Sequence, residues 1–270
     1  MKNNDFFDKI EVLNSELGKF GSLAIAFSGG VDSTFLLAAA KRVLGDNVFA
    51  IIASTPVFPK EEENDAVAFL KQENIKYSII SPDLMAVDSF VENPKDRCYI
   101  CKKFLFEMII NEAEKQGFYH LAHGVNTDDF SDYRPGLKAA DELGVISLLA
   151  NAGLSKKEIR RASRQMNLDT SDKPAMACLA SRIPYGDVIT IEKLQRIETA
   201  EKVLKKLGFE MMRVRHHGDV ARIEVPVNRF TDIMDERVRG EILDAFRGLG
   251  FLYVSVDIDG YSQGSLNKSV

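Results

Sequence analysis

The hexapeptide Ser28-Gly29-Gly30-Val31-Asp32-Ser33 stands between an apolar run, Leu23-Ala24-Ile25-Ala26-Phe27, and an Ala-rich stretch from Ser33 to Leu44 that closes at Gly45. A short apolar run ending in a glycine turn reads as a buried strand, and the stretch after it as a helix with Gly45 as its C-cap. The chain therefore opens a β-loop-α unit. At such a junction two glycines let the backbone turn tightly and approach a ligand. The N–H groups at the helix start and the Ser28 and Ser33 hydroxyls then face an anion, and a phosphate fits. The phosphate loop of kinases and GTPases carries Gly-x-x-x-x-Gly-Lys-Ser/Thr; this loop has no lysine, which disfavours γ-phosphate chemistry.

The surrounding pattern repeats that unit. Phe6, Ile10, Leu13 and Leu17 recur at helical spacing, and an apolar strand follows the loop helix at Val48 to Ala53. Next come a Glu-rich helix at Glu61 to Glu73, a strand near Tyr77 to Ile80, a helix near Phe104 to Gln116, and strands at His120 to Ala122 and Val145 to Leu149. This alternation predicts an α/β fold, a parallel sheet with helices on both faces. Ligands of such sheets bind beyond the carboxyl ends of the strands, which puts Ala53-Ser54-Thr55 and Asn126-Thr127-Asp128-Asp129 at one edge. Ser54 is there an adenosine contact, and the Asn126 loop a source of a metal or ribose ligand. Turn formation and helix capping account for the same residues equally well.

Between Asp169 and Asp187 the texture changes, with Pro174, Pro184 and Gly186 interrupting any regular element. Beyond it lie a charged helix at Thr190 to Leu207, short strands at Met211 to Arg215 and Arg222 to Val225, a mostly helical Asn228 to Phe246, and a strand at Leu252 to Asp257. The expected organisation is an α/β domain over residues 1–183 and a smaller α+β domain over 184–270.

Function is bounded by charge and cysteine usage. Of 270 residues, 35 are Lys or Arg and 40 are Asp or Glu, a net charge of -5, so no global cationic field holds polyanionic nucleic acid. The N-terminal stretch has no signal-peptide h-region, and no apolar run approaches the roughly 18 residues that span a bilayer, so a cytoplasmic setting without a membrane partner is expected. The three cysteines are too few, and odd in number, for a disulfide scaffold. Two form Cys98-Tyr99-Ile100-Cys101, followed by Lys102-Lys103; the third is Cys178. Taken alone they suit a redox pair, half of a zinc site completed by His120 or His123, spare thiols, or an iron-sulfur cubane with one iron left without a protein ligand. His216-His217 point to opposite faces of a strand and read as polar surface, and Glu61-Glu62-Glu63 as an acidic helix start favoured by the macrodipole.

Ser28 to Ser33 resembles the pyrophosphate-loop (PP-loop) signature of the N-type ATP pyrophosphatases, whose domain has the adenine nucleotide alpha hydrolase-like fold. The resemblance implies cleavage of ATP between its α- and β-phosphates, AMP passing to an acceptor oxygen, and Asp32 helping to hold Mg²⁺ at the pyrophosphate. At Asp172-Lys173-Pro174 and through Pro174-Ala175-Met176-Ala177-Cys178-Leu179-Ala180-Ser181-Arg182-Ile183-Pro184-Tyr185-Gly186 the chain resembles one family, the LarE-type ATP-dependent sulfur transferases. Tyr133-Arg134-Pro135-Gly136-Leu137-Lys138-Ala139-Ala140, Arg213-Val214-Arg215, Arg222-Ile223-Glu224-Val225 and Asp257-Ile258-Asp259-Gly260-Tyr261-Ser262-Gln263-Gly264-Ser265 extend the likeness.

That family thiolates a pyridinium mononucleotide on the way to the nickel-pincer nucleotide cofactor, so the resemblance implies a carboxylate adenylated and converted to a thiocarboxylate. Some members sacrifice the cysteine that corresponds to Cys178. Others hold a [4Fe-4S] cluster on three cysteines and take sulfur from sulfide or another donor. All three cysteines here fall in the matching motifs, so the cluster version is expected, with Cys98, Cys101 and Cys178 as ligands. The acceptor phosphate calls for cations, and Arg182, Arg213 and Arg215 are the candidates, the last two sharing one strand face. Ser181, Glu201 and Asp232 carry over as lesser substrate contacts, Lys102 and Lys173 as phosphate partners, and the family's habit implies a homo-oligomer. Against this stand a tRNA thiolase of the same superfamily, an amidating synthetase, for which no glutaminase domain is present, and a non-catalytic nucleotide sensor. The acidic balance and the lack of paired zinc-finger motifs disfavour the tRNA enzyme.

Overall fold

The computed structural model describes residues 2–131, 135–174 and 177–262. Tyr133, Arg134, Ala175, Met176 and Gln263 to Ser265 of the stretches above lie outside the described residues. The chain divides into two compact units, one of Met1–Leu84 with Asp96–Met176, the other of Met85–Lys95 with Ala177–Val270.

In the first unit α1 (Lys2–Leu17), β1 (Leu23–Ala26), α2 (Val31–Leu44), β2 (Val48–Ala53), α3 (Lys60–Gln72) and β3 (Lys76–Ile80) precede the excursion that holds α4 (Asp88–Val91). Then follow α5 (Arg97–Lys115), β4 (Leu121–His123), α6 (Pro135–Glu142), α7 (Leu148–Asn151) and α8 (Lys156–Gln165). The four strands form a parallel sheet in the order β3-β2-β1-β4, with Ile25 between Ala50 and Ala122. Successive side chains alternate faces. Leu23, Ile25, Val48, Ala50 and Ile52 pack with Leu13, Leu17, Phe35, Leu36 and Ile159, whereas Ala24, Phe49, Ile51 and Leu121 pack with Phe106, Ile109, Ala113 and Ala140. The sheet is buried on both sides by helices, which is why its central strands read as unbroken apolar runs. The order also reverses at β1: the chain moves outward through β2 and β3, then returns to place β4 on the other side. A crevice for ligands opens at such a switch point.

Two expectations shift here. The strand expected at Val145 to Leu149 shrinks to one parallel bridge, Ile146 to Ala122, because Leu148 and the residues after it turn into α7. Helix α5 begins at Arg97 rather than near Phe104, so the Cys98-Cys101 pair sits inside its first turns instead of in a preceding loop.

The second unit contains α4, α9 (Ile191–Lys206), β5 (Arg213–His217), β6 (Val220–Glu224), α10 (Phe230–Ile233), α11 (Glu236–Gly248) and β7 (Tyr253–Val256). Its sheet runs β5-β6-β7, antiparallel then parallel, over a core that includes Leu204, Phe209, Val214, Ile223, Phe246 and Phe251. Residues 85–95 cluster here through Asn93. Its side-chain amide donates to the carbonyls of Pro184 at 2.6 Å and Asp187 at 3.0 Å, and its own carbonyl accepts from Gly186 N–H at 2.9 Å. The helical stretch after Asn228 breaks at Asp235, whose carboxylate accepts from the N–H groups of Arg237 and Val238 and starts α11 afresh. His216 is not polar surface: it shares the inward face of β5 with Val214 and lies buried against Phe251, ring centroids 5.4 Å apart. The acidic run Glu61 to Glu63 does occupy the first turn of α3. No helix among the described residues is long and apolar enough to cross a membrane.

Candidate active site

Helix α2 starts at Val31, with Gly30 as its N-cap and Thr34 N–H donating to Gly30 O at 2.9 Å. Gly29 holds φ +69°, and a Cβ there would stand 2.9 Å from Ala66 Cβ of α3, so the loop requires glycine at that place. The Ser28 and Ser33 hydroxyl oxygens lie 3.0 Å apart, and Ser33 Oγ also donates to Gly30 O at 3.2 Å. A second glycine matters as much. Gly124, just past β4, would drive a Cβ to 2.6 Å from Ser33 N, so the end of β4 and the start of α2 meet backbone to backbone. An isolated glycine after a strand was its only signal in the sequence.

Asp32, at the second position of α2, points one carboxylate oxygen at Lys156 Nζ, 2.5 Å away. Its other oxygen, Oδ1, is buried without a hydrogen-bond partner. Burial pushes the Asp32 carboxyl up, Lys156 pulls it down, and the nearby Asp129 pushes it up again. A partnerless buried carboxylate oxygen beside a phosphate loop fits a hard divalent cation, which takes one or two carboxylates plus phosphate oxygens; Asp32 would hold Mg²⁺ there.

The other strand ends carry the remaining nucleotide-side candidates. Ser54, after β2, donates to Glu63 Oε2 at 2.5 Å. Asn126 is buried and closes a turn: its Oδ1 accepts from Asp128 N–H at 2.9 Å and its own N–H donates to Asp129 Oδ2 at 3.0 Å. Lys102 is exposed, with its ammonium 5.3 Å from the Phe106 ring centroid. Lys173 is engaged by Glu62 at 2.6 Å and Asp65 at 3.2 Å, on α3.

His123 ends β4 with Nε2 2.8 Å from Ser147 Oγ, and burial, with Lys102 nearby, holds its pKa down to about 3. The imidazole is neutral and packs edge-on to Phe106, ring centroids 5.4 Å apart. An unfolded histidine takes up its proton near pH 6.5 and the folded one only near 3, so stability is complete above 6.5 and falls as pH drops between these values. The loss is about 1.4 kcal/mol per pH unit. A urea titration of His123→Gln against the unsubstituted chain, from pH 7 to 4, should show a correspondingly shallower decline.

No disulfide joins the cysteines among the described residues. Cys98 and Cys101 are three apart on α5 and so share a helix face, a placement that suits two corners of a cubane. Cys178 belongs to the second unit. Among the described residues no three His, Cys, Asp or Glu side chains are grouped to hold a metal ion. The donor set fits an iron-sulfur group by kind, and the pair on α5 fits by placement.

Around Cys178 the geometry is tight. Arg182, fully buried at the end of the 3₁₀ turn Leu179–Arg182, donates Nε and Nη2 to the two Glu201 oxygens at 2.9 and 3.0 Å. Its Nη1 donates to the carbonyls of Ala177 at 2.7 Å and Cys178 at 2.9 Å, and Ser181 Oγ also donates to Cys178 O at 2.7 Å. Glu201 further accepts from Val214 N–H at 3.1 Å, tying α9 to β5. Arg215 makes a two-pronged pair with Glu224 at 2.9 and 2.7 Å and donates to Ser181 O at 2.8 Å. Arg182 and Arg215 are thus engaged inside the unit. Arg213 is buried under the Tyr261 ring, 5.2 Å from its centroid, and burial together with Arg182 pulls its pKa down. Asp232 is exposed and ion-paired with Arg229.

A glycine-anchored loop at the switch point of a parallel sheet puts the first unit among the PP-loop nucleotide-binding domains. The family model described as NAD synthase matches residues 8–103, which include that loop. Over 96% of its length the chain is 42% identical to an uncharacterized protein of Synechocystis sp., covering 97% of that protein. It is 35% identical to the pyridinium-3,5-bisthiocarboxylic acid mononucleotide synthase of Lactiplantibacillus plantarum over 92% of this chain and 90% of the relative. One subunit of the glutamine-hydrolyzing GMP synthase of Thermoplasma volcanium is more distant, 27% identical over 78% of this chain and 72% of its own. With likeness of that extent to the mononucleotide synthase, the chain belongs to the LarE-type ATP-dependent sulfur transferases.

Proposed function

We propose that this enzyme adenylates a carboxylate of a pyridinium mononucleotide and converts it to a thiocarboxylate. The observation that carries the reading is the Ser28 to Ser33 loop, with its helix N-terminus, paired hydroxyls and the partnerless oxygen of Asp32. The likeness, over 92% of this chain, to a bisthiocarboxylic acid mononucleotide synthase supports the substrate class. A carboxylate resists a sulfur nucleophile, whereas an acyl-adenylate carries a good leaving group, so ATP cleavage and sulfur delivery belong to one enzyme.

In this reading Ser28, Gly29, Gly30 and Ser33 cradle the pyrophosphate, Asp32 holds Mg²⁺, and Ser54 and Asn126 lie toward the adenosine. Bound Mg²⁺ supplies countercharge for the departing pyrophosphate. In the second unit Arg213 receives the acceptor phosphate, and Ser181 and Asp232 are lesser substrate contacts. Arg182, Arg215, Glu201 and Glu224 shape the wall that carries it. Cys98, Cys101 and Cys178 are ligands of a [4Fe-4S] cluster, which when bound supplies an iron open to sulfide.

In a second reading Cys178 gives up its own sulfur, since its stretch corresponds to the donor of the sacrificial members of the family. Anaerobic purification separates the two. Iron and acid-labile sulfide in the protein, with product formed over many turnovers in the presence of sulfide, support the cluster. Absence of iron, a single turnover and a Cys178 lighter by H₂S support sacrifice. No pyrophosphate from ATP and the carboxylate mononucleotide would overturn both.

A further inference from the structure

The chain does not run straight from β3 to α5. It leaves the first unit at Met85, belongs to the second as far as Lys95, and returns at Asp96, two residues before Cys98. Asn93 anchors this detour. It is fully buried and holds φ +57°, a left-handed conformation that asparagine tolerates better than most residues. Its side-chain amide donates to Pro184 O at 2.6 Å and Asp187 O at 3.0 Å, with Ile183 O at 3.4 Å, while its carbonyl accepts from Gly186 N–H at 2.9 Å. Beside it Ile189 N–H donates to Val91 O at 2.9 Å. A buried amide with both hydrogens directed at carbonyls of one short loop fixes that loop in position and in direction.

The two segments joined in this way are neighbours of the cysteines. Asn93 lies five residues before Cys98, and Ile183 lies five residues after Cys178. At full extension the first span is at most about 18 Å. Cys178 caps the 3₁₀ turn Leu179–Arg182, and the rise of such a turn makes the second span about 10 Å. Both cysteine stretches therefore hang on short tethers from one buried side chain. We propose that Asn93 is a positioning residue for sulfur transfer. It ties the start of α5, with Cys98 and Cys101, to the chain that leaves the Cys178 turn, and so sets the spacing of the two cysteine stretches. The groups proposed for adenylation, around Ser28 to Ser33, do not hang on this tether.

The inference rests on the sulfur-transfer reading above, and the test keeps the two apart. Asn93→Gly keeps the positive φ and removes the amide. Insertion of two glycines between Pro94 and Lys95 leaves Asn93 and its bonds in place but lengthens the path to Cys98, which a merely structural contact would not feel. Pyrophosphate release and thiolated product are measured for each. A further readout needs neither substrate nor iron: the rate at which a short bismaleimide joins Cys98 to Cys178 in a Cys101→Ser background, read by peptide mass spectrometry. Both variants are expected to keep pyrophosphate release within about twofold and to lower thiolation about 10²-fold, because a small misplacement of reacting groups costs that much. The cross-link should form at least about tenfold more slowly. Should Asn93→Gly fail to fold, the insertion carries the test. Thiolation within about twofold of normal in a folded variant, an equal loss of both products, or a cross-link that forms at the same rate with and without the tether overturns the role of Asn93 alone. Absence of thiolated product from the unsubstituted enzyme overturns the functional reading and this inference with it.

Discussion

Cys178→Ser is expected to abolish thiocarboxylate formation while pyrophosphate release stays within about twofold of the unsubstituted enzyme. A serine hydroxyl keeps the volume of the thiol but neither ligates iron in place of a soft thiolate nor carries sulfur to give away. The loop itself should survive the change. It is held through the Cys178 carbonyl, which accepts from Arg182 Nη1 at 2.9 Å and Ser181 Oγ at 2.7 Å. The groups proposed for adenylation meanwhile belong to the first unit, around Ser28 to Ser33. Parallel assays of pyrophosphate and of thiolated product by mass spectrometry check the split. Equal loss of both would put Cys178 in the adenylation step, and undiminished thiolation would remove it from the sulfur path.

The largest effect on stability is expected at Glu201. Truncation to alanine strips both carboxylate bonds from the fully buried guanidinium of Arg182 and leaves Val214 N–H without its acceptor. Breaking a buried pair from one side costs about 3–5 kcal/mol, because the remaining charge stays desolvated. Denaturant unfolding of Glu201→Ala reads this directly, and a loss below about 1 kcal/mol would mean that water reaches Arg182 in the folded chain. The pair Glu201→Leu with Arg182→Met tests its purpose. Replacing both charges by apolar groups removes the stranded charge, so part of the lost free energy should return, the remainder lying with Val214 N–H and the carbonyls of Ala177 and Cys178, which stay without these partners. Thiolation should not return with it, since Arg182 Nη1 also fixes the carbonyls of Ala177 and Cys178. The structure shows Arg182 holding the carbonyls of Ala177 and Cys178, whereas charge alone suggests a ligand for phosphate.

That contrast separates what one-dimensional information carries from what it omits. The apolar run Leu23 to Phe27 followed by two glycines specifies strand, turn and helix from local preference, and the structure places them accordingly. The unbroken apolar runs Leu23 to Ile25 and Val48 to Ile52 likewise specify a sheet covered on both faces. Val145 to Leu149 misleads because a short apolar run suits a buried strand or a buried helix equally, and packing decides. His216 misleads for a related reason: alternation assigns the face, but only the arrival of Phe251 makes that face an interior.

The sequence alone determined the nucleotide loop, the layered first unit, and the residue types available for chemistry, because each depends on side-chain preferences over a few neighbouring positions. Tertiary structure decided which charges are consumed and which are offered. It paired Arg182 with Glu201 and Arg215 with Glu224, set Gly124 against Ser33, and delivered Lys156 to Asp32. Those pairings join residues distant along the chain, and a Coulomb or steric contact depends on distance in space, which no local spacing records.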